Sequence, residues 1–122
     1  MTRSGKRSRE TDLADETLLD RAHLDAQTFG DEALADELLG LFEEQCRRLM
    51  PGLENAALQA GDRADLAHTL KGSALGVGAA RVAARASEAE DALRAGSPAA
   101  AYPIQALAIA VDETLAALAG RL

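Results

Sequence analysis

Between Asp65 and Ala79 the chain reads Asp65-Leu66-Ala67-His68-Thr69-Leu70-Lys71-Gly72-Ser73-Ala74-Leu75-Gly76-Val77-Gly78-Ala79, and this stretch holds the residues best suited to chemistry. A neutral imidazole is a nucleophile near neutral pH, because an unperturbed histidine titrates at about 6.5. Attack by one ring nitrogen on an acyl phosphate gives a phosphoramidate. The ammonium of Lys71, three residues after His68, can partly offset the negative charge that arrives on the ring. Phosphoryl transfer is mostly positioning and charge neutralisation, and the Mg²⁺ that commonly assists it takes carboxylate ligands beside the reacting group. No carboxylate cluster is legible around His68, so the metal and most of the catalysis are expected from a partner, with no cofactor of the chain's own.

Helical geometry sharpens this reading. At about 100° per residue with His68 at zero, Leu66, Leu70 and Val77 fall at about 160°, 200° and 180°, with Ser73 at about 140°. These residues form the expected core stripe, and His68 points away from it. The other face carries Lys71 at about −60°, Leu75 at about −20°, Gly72 at about 40° and Gly76 at about 80°. A glycine inside a helix costs about 1 kcal/mol relative to alanine. In a chain that uses alanine almost everywhere, Gly72 and Gly76 therefore suggest a gain elsewhere. Gly72 strips bulk from beside the imidazole and leaves a ring nitrogen open to a large partner, and an exposed Leu75 offers that partner an apolar contact. A lone histidine is more often an ordinary side chain and a helix-face lysine a solvated charge; the shared face of His68, Lys71 and Gly72 is what favours function. His23 has no comparable setting and reads as structural or surface.

The elements that must hold this stretch are helical throughout. Asp12 to Gln27 reads as one or two short helical turns, with Leu18, Leu19, Ala22 and Leu24 as an apolar edge, broken at Phe29-Gly30. A long helix begins near Asp31, capped by Thr28 or Asp31. Its expected buried stripe is Leu34, Leu38, Leu41, Phe42, Gln45 and Leu49. A kink or break is expected at Pro51-Gly52, with the pattern resuming at Leu53, Ala56, Ala57 and Ala60 and ending at Gly61. Asp62 reads as the N-cap of the histidine helix, which runs from Arg63 to Val77, with Gly78 as its left-handed terminus. A fourth segment, Ala79 to Ala95, carries Val82, Ala86, Ala89 and Leu93. Gly96-Ser97-Pro98 stops it and restarts the chain. The final helix carries Ile104, Leu107, Ala108, Val111, Leu115, Leu118 and Leu122, with a start blurred by Pro103. Four amphipathic helices with short connections predict an all-α fold: an antiparallel up-down four-helix bundle with a short extra N-terminal helix.

The totals agree. The 122 residues suit one domain, and Phe29, Phe42 and Tyr102 are the only aromatics, so the core must be aliphatic. Net charge is −7, and residues 1–10 hold four bases against one acid, leaving nine bases and nineteen acids in the rest. An acidic chain is repelled by phosphate backbones, which disfavours nucleic acid and anionic membranes as partners. Residues 1–11 read as a disordered basic tail and 12–122 as the folded domain. Cys46 alone forms no internal disulfide and reads as a small core residue. No run reaches the ~18 apolar residues of a membrane span, and no apolar segment follows the basic start as in a signal peptide. A cytoplasmic monomer is the expectation.

Ala67-His68-Thr69-Leu70-Lys71-Gly72-Ser73, with Gly78-Ala79 beginning ten residues beyond the histidine, resembles the histidine-containing phosphotransfer (HPt) domain. In helix layout the resemblance covers roughly residues 20–120, with Pro51-Gly52 and the small, flexible Leu75-Gly76-Val77 as its departures. It implies a four-helix bundle in which His68 carries a phosphoryl group on the ring nitrogen far from the backbone, Lys71 assists and Gly72 keeps the site open. It also implies that Glu90, twenty-two residues after His68, hydrogen-bonds the inner ring nitrogen; the bland alternative is one acid among Glu88, Glu90 and Asp91 on a solvated face. Expected partners are response-regulator receiver domains, which would bring Mg²⁺, and a hybrid histidine kinase. Leu75, Gly76, Arg81 and Arg85 are the candidate docking residues, the arginines otherwise being solvated. The competing readings are an adaptor that docks a receiver or kinase without transfer, and, far behind, a metal-binding bundle enzyme, for which two histidines are too few.

Overall fold

The computed structural model describes residues 17–120; the basic tail, the start of the expected first element and Leu122 lie outside them. The described residues form a short helix α1 (Arg21–Thr28) and four longer ones, α2 (Glu32–Leu53), α3 (Ala60–Val77), α4 (Ala80–Arg94) and α5 (Ala101–Ala119). Each long helix packs on its neighbours in sequence, and α2 closes on α5, giving the four-helix bundle with its extra N-terminal helix. None of these helices is long and apolar enough to cross a membrane.

The breaks lie where local chemistry demands them. Asp20 caps α1, its carboxylate accepting from the His23 amide at 3.1 Å, and Asp31 caps α2, accepting from Leu34 at 3.0 Å. Between these helices Phe29 and Gly30 take left-handed backbone, at φ 54° and 77°. Pro51 sits inside α2 without splitting it, and the helix ends two residues later at Leu53. The pattern does not resume as helix: residues 54–59 are turns and irregular backbone, and α3 already starts at Ala60. Asp62 is therefore not the cap but an acid in the first turn; Gln59 is the N-cap and makes no side-chain bond. The Arg63 guanidinium instead ties the joint, donating to the Leu53 carbonyl through Nε at 2.9 Å and through its terminal nitrogen at 2.7 Å. That satisfies a helix-end acceptor otherwise left open. After Gly96, the Ser97 hydroxyl accepts from Ala99 at 3.1 Å, and α5 begins at Ala101, so Pro103 lies in its first turn, where no donor is missed.

The core is aliphatic, as composition required. Its largest fully buried members are Leu53, Leu70, Leu107 and Val82. Its position on α2 corrects the expected stripe by one residue: Ala35, Leu39, Phe42, Cys46, Leu49 and Met50 are buried, while Leu34 and Leu41 are exposed. Burial and the neighbouring Glu43 push the Cys46 thiol up to about 12, against a smaller pull from Arg47, so it stays protonated as a core side chain. The α3–α4 interface is the most extensive. Small residues are buried on both helices, Ala64, Ala67 and Ala74 on α3 and Ala83, Ala86 and Ala89 on α4. Alanine lets these two backbones approach closely.

The turn between α3 and α4 is fixed from outside. Gly78 ends α3 at φ 82°, and its carbonyl accepts from the Asp20 amide at 2.8 Å. Arg81 donates its backbone N–H to the Thr17 carbonyl at 2.9 Å. A Cβ on Gly78 would stand 2.8 Å from the Asp20 carbonyl oxygen. Gly78→Ala is therefore expected to cost about 2–3 kcal/mol, combining left-handed strain with displacement of the Asp20 backbone. Denaturant melts of the two proteins measure it.

Candidate functional site

His68 stands on the flank of α3 that borders α4, not opposite the core. Buried Ala67 and Ala74 lie at about −100° and −120° from it, so the bundle axis is nearer His68 than the leucines implied. Its side chain is nevertheless 63% exposed. The open face of α3 is formed by Asp65, Thr69, Gly72 and Gly76, all exposed. A Cβ at Gly72 or Gly76 would meet nothing within 4 Å, so neither glycine is needed for packing inside this molecule. Leu75 is 57% exposed, and with Lys71 it edges a shallow groove of about 250 Å³ completed by Ala80, Ala83, Ala84 and Ser87.

The flank position brings His68 to Glu90 of α4. The Nδ1 atom lies 3.2 Å from Oε1 and 3.1 Å from Oε2 of a carboxylate whose side chain is only 10% exposed. Lys71 Nζ donates to Oε1 at 3.0 Å, and Arg94 Nε donates to Oε2 at 2.9 Å. The outer edge of Arg94 reaches back to Asp65 of α3 at 3.1 Å. Burial pushes the Glu90 carboxyl up, but hydrogen bonds from Lys71, Arg94 and His68 outweigh it and hold the group at about 2. Glu90 and Asp65 in turn raise Arg94 above its ordinary range. An ionised carboxylate can only accept a hydrogen bond. The Nδ1 atom must therefore be the donor, which leaves the lone pair of the neutral ring on Nε2, the outward nitrogen.

A depressed carboxyl has a consequence for stability. Glu90 falls from an ordinary 4.5 to about 2 on folding. Its contribution is complete above the unfolded value and is lost as pH falls through the window between the two. Glu90→Gln is expected to be the less stable protein at neutral pH, because it leaves Lys71 and Arg94 without their counter-charge. The gap in melting temperature should narrow as pH falls from about 4.5 toward about 2, and paired thermal melts across that range check it.

Of the residues singled out from sequence, the structure unites His68, Lys71 and Glu90, with Gly72, Leu75 and Gly76 on the adjoining surface. Lys71 is not a free surface cation; it is half-buried against Glu90. Ser73 bonds Gln45 of α2 through its hydroxyl, the polar break in that helix's pattern. Arg81 and Arg85 lie on the side of α4 turned away from Glu90, at about 180° and 140° from it. Arg81 pairs with Glu113 of α5 and Arg85 with Glu88. Sequence reasoning missed Arg94 and Asp65. The signal was present: a glutamate followed four residues later by arginine is a favoured helical pair.

The described residues form a helical bundle that bears an exposed imidazole, with its Nδ1 against an ionised carboxylate and Gly72 on the open face beside it. The family model for the Hpt domain matches residues 37–121, more than half of the chain, and the chain belongs to that family. Hpt domains serve histidine phosphotransfer in phosphorelays and meet receiver domains and kinases. No curated protein and no solved structure matches the chain.

Proposed function

We propose that this protein is a phosphoryl carrier that accepts a phosphoryl group on His68 Nε2 from a receiver-domain aspartate or a kinase and passes it to another receiver. The observation that carries the reading is the Nδ1–Glu90 contact beside an open glycine face. In the accepting step the Nε2 lone pair forms a bond to phosphorus. The bond from phosphorus to the aspartyl oxygen breaks, and its electron pair leaves with the carboxylate. The Nδ1 proton stays in place, so the ring takes on positive charge facing Glu90, which stabilises it in the transition state and after. Lys71 moves toward the incoming phosphoryl oxygens, which offer more charge than half a shared carboxylate. Leu75, Gly72 and Gly76 form the centre of the receiver's footprint, and the receiver brings Mg²⁺.

The test is transfer from receivers of the same genome charged with a labelled small phosphoryl donor. Label that moves to the wild-type chain, survives alkali and is lost in acid supports the reading. A chain that binds a receiver yet never takes label is an adaptor, and the carrier reading fails.

A further inference from the structure

Two cations serve one carboxylate at this site, and they are not equivalent. Lys71 meets Glu90 from α3, on Oε1, and under the carrier reading it is the cation that turns to the phosphoryl group. Arg94 meets the second oxygen from α4, one turn beyond Glu90, and its far edge is held by Asp65. The chain of contacts runs from α3 to α4 and back: Asp65, Arg94, Glu90, then His68 and Lys71. We infer that Arg94 is a positioning residue: the permanent counter-ion of Glu90, which keeps that carboxylate ionised and aimed at His68 Nδ1 while Lys71 leaves for the phosphoryl group.

The physical case rests on what happens to Glu90 when Lys71 departs. A carboxylate with a side chain 10% exposed is expensive to leave unpaired. It would then also face a phosphoryl dianion across the ring. With a single cation, neutralising the phosphoryl group would strip the group that fixes the imidazole. The second cation removes that conflict. Arg94 suits the task because Nε donates to one Glu90 oxygen while another nitrogen of the same planar fork meets Asp65, a pair of contacts that favours one orientation of the fork. The Asp65 contact alone is too exposed to contribute much stability, its side chain being 72% exposed. Its service is to orient the guanidinium. Because Glu90 selects the tautomer of His68, a loosened Glu90 shows first as a loss of that selection, before any chemistry.

This inference rests on the carrier reading, and its test separates the two. In protein labelled with ¹⁵N-histidine, the ring nitrogen shifts at mildly alkaline pH report which nitrogen carries the proton; His23 serves as internal reference, and H68Q assigns the signals. Wild type is expected to hold the proton on Nδ1. Arg94→Met is expected to move the ring toward a mixture of tautomers and to slow phosphoryl uptake about tenfold, the scale of a lost outer-shell partner. Arg94→Lys, which returns the charge without the fork, should restore most of both. If Arg94→Met does not fold, Arg94→Gln, which keeps length and polarity but not charge, carries the same comparison. An unchanged tautomer, or an uptake rate within twofold of wild type, overturns the inference. A wild-type chain that takes no label overturns the carrier reading instead, and the tautomer measurement, needing no phosphoryl donor, shows which of the two has failed.

Discussion

His68→Gln is expected to abolish receiver-dependent labelling, by at least about a thousandfold, equivalent to about 4 kcal/mol of activation free energy. The size follows from what is removed. Glutamine has no nitrogen lone pair able to attack phosphorus, so the reaction loses its nucleophile rather than a stabilising contact. The same substitution should leave the fold within about 0.5 kcal/mol of wild type, because the side chain is 63% exposed. A glutamine amide can still donate to Glu90, which in any case keeps Lys71 and Arg94. The check is labelling of the two proteins by the same charged receiver, with a thermal melt of each. Residual label at a tenth of the wild-type level would place the acceptor elsewhere.

How far the sequence carried this conclusion depended on how well a residue's size matched its weight in a pattern. The helix count and the left-handed Gly78 were readable because each rests on backbone geometry or residue type. The orientation of α3 was misjudged because leucines were taken to mark the core. Leu66 is only half-buried, whereas Ala64, Ala67 and Ala74 are sealed. Where two helices approach as closely as α3 and α4, the residue that fits between them is the smallest, and a pattern weighted by hydrophobicity looks past it. The same error displaced the stripe of α2, in which Ala35 and Cys46 are buried and Leu34 and Leu41 are not. The correction matters for function. An imidazole directly opposite the core could not reach α4; one on the flank can, and Glu90 becomes its partner. Asp65 escaped notice because its contact with Arg94 depends on the distance between two helices, which no single-helix pattern contains; the spacing of Glu90 and Arg94 on one helix was the part that could have been read.

Gly72→Leu is the variant in which activity and stability should part most widely. A Cβ at this position meets nothing within 4 Å, so the protein itself has room for a side chain. Leucine is a far better helix former than glycine, and the variant is expected to gain about 0.5–1 kcal/mol in stability. Yet the position lies one turn after His68 on the exposed face, where a receiver must bring its aspartyl phosphate to within bonding distance of Nε2. A misplacement of about 1 Å is enough to cost about a hundredfold in such a step. Transfer from a charged receiver is therefore expected to fall at least about a hundredfold. Labelling by a small phosphoryl donor such as a phosphoramidate should change by less than about fivefold, since such a donor needs no broad approach surface. Denaturant melts and the two labelling rates, measured side by side, decide the matter. Equal losses with both donors would mean that leucine disturbs the imidazole itself. No loss with either would mean that the glycine is not there to admit a partner.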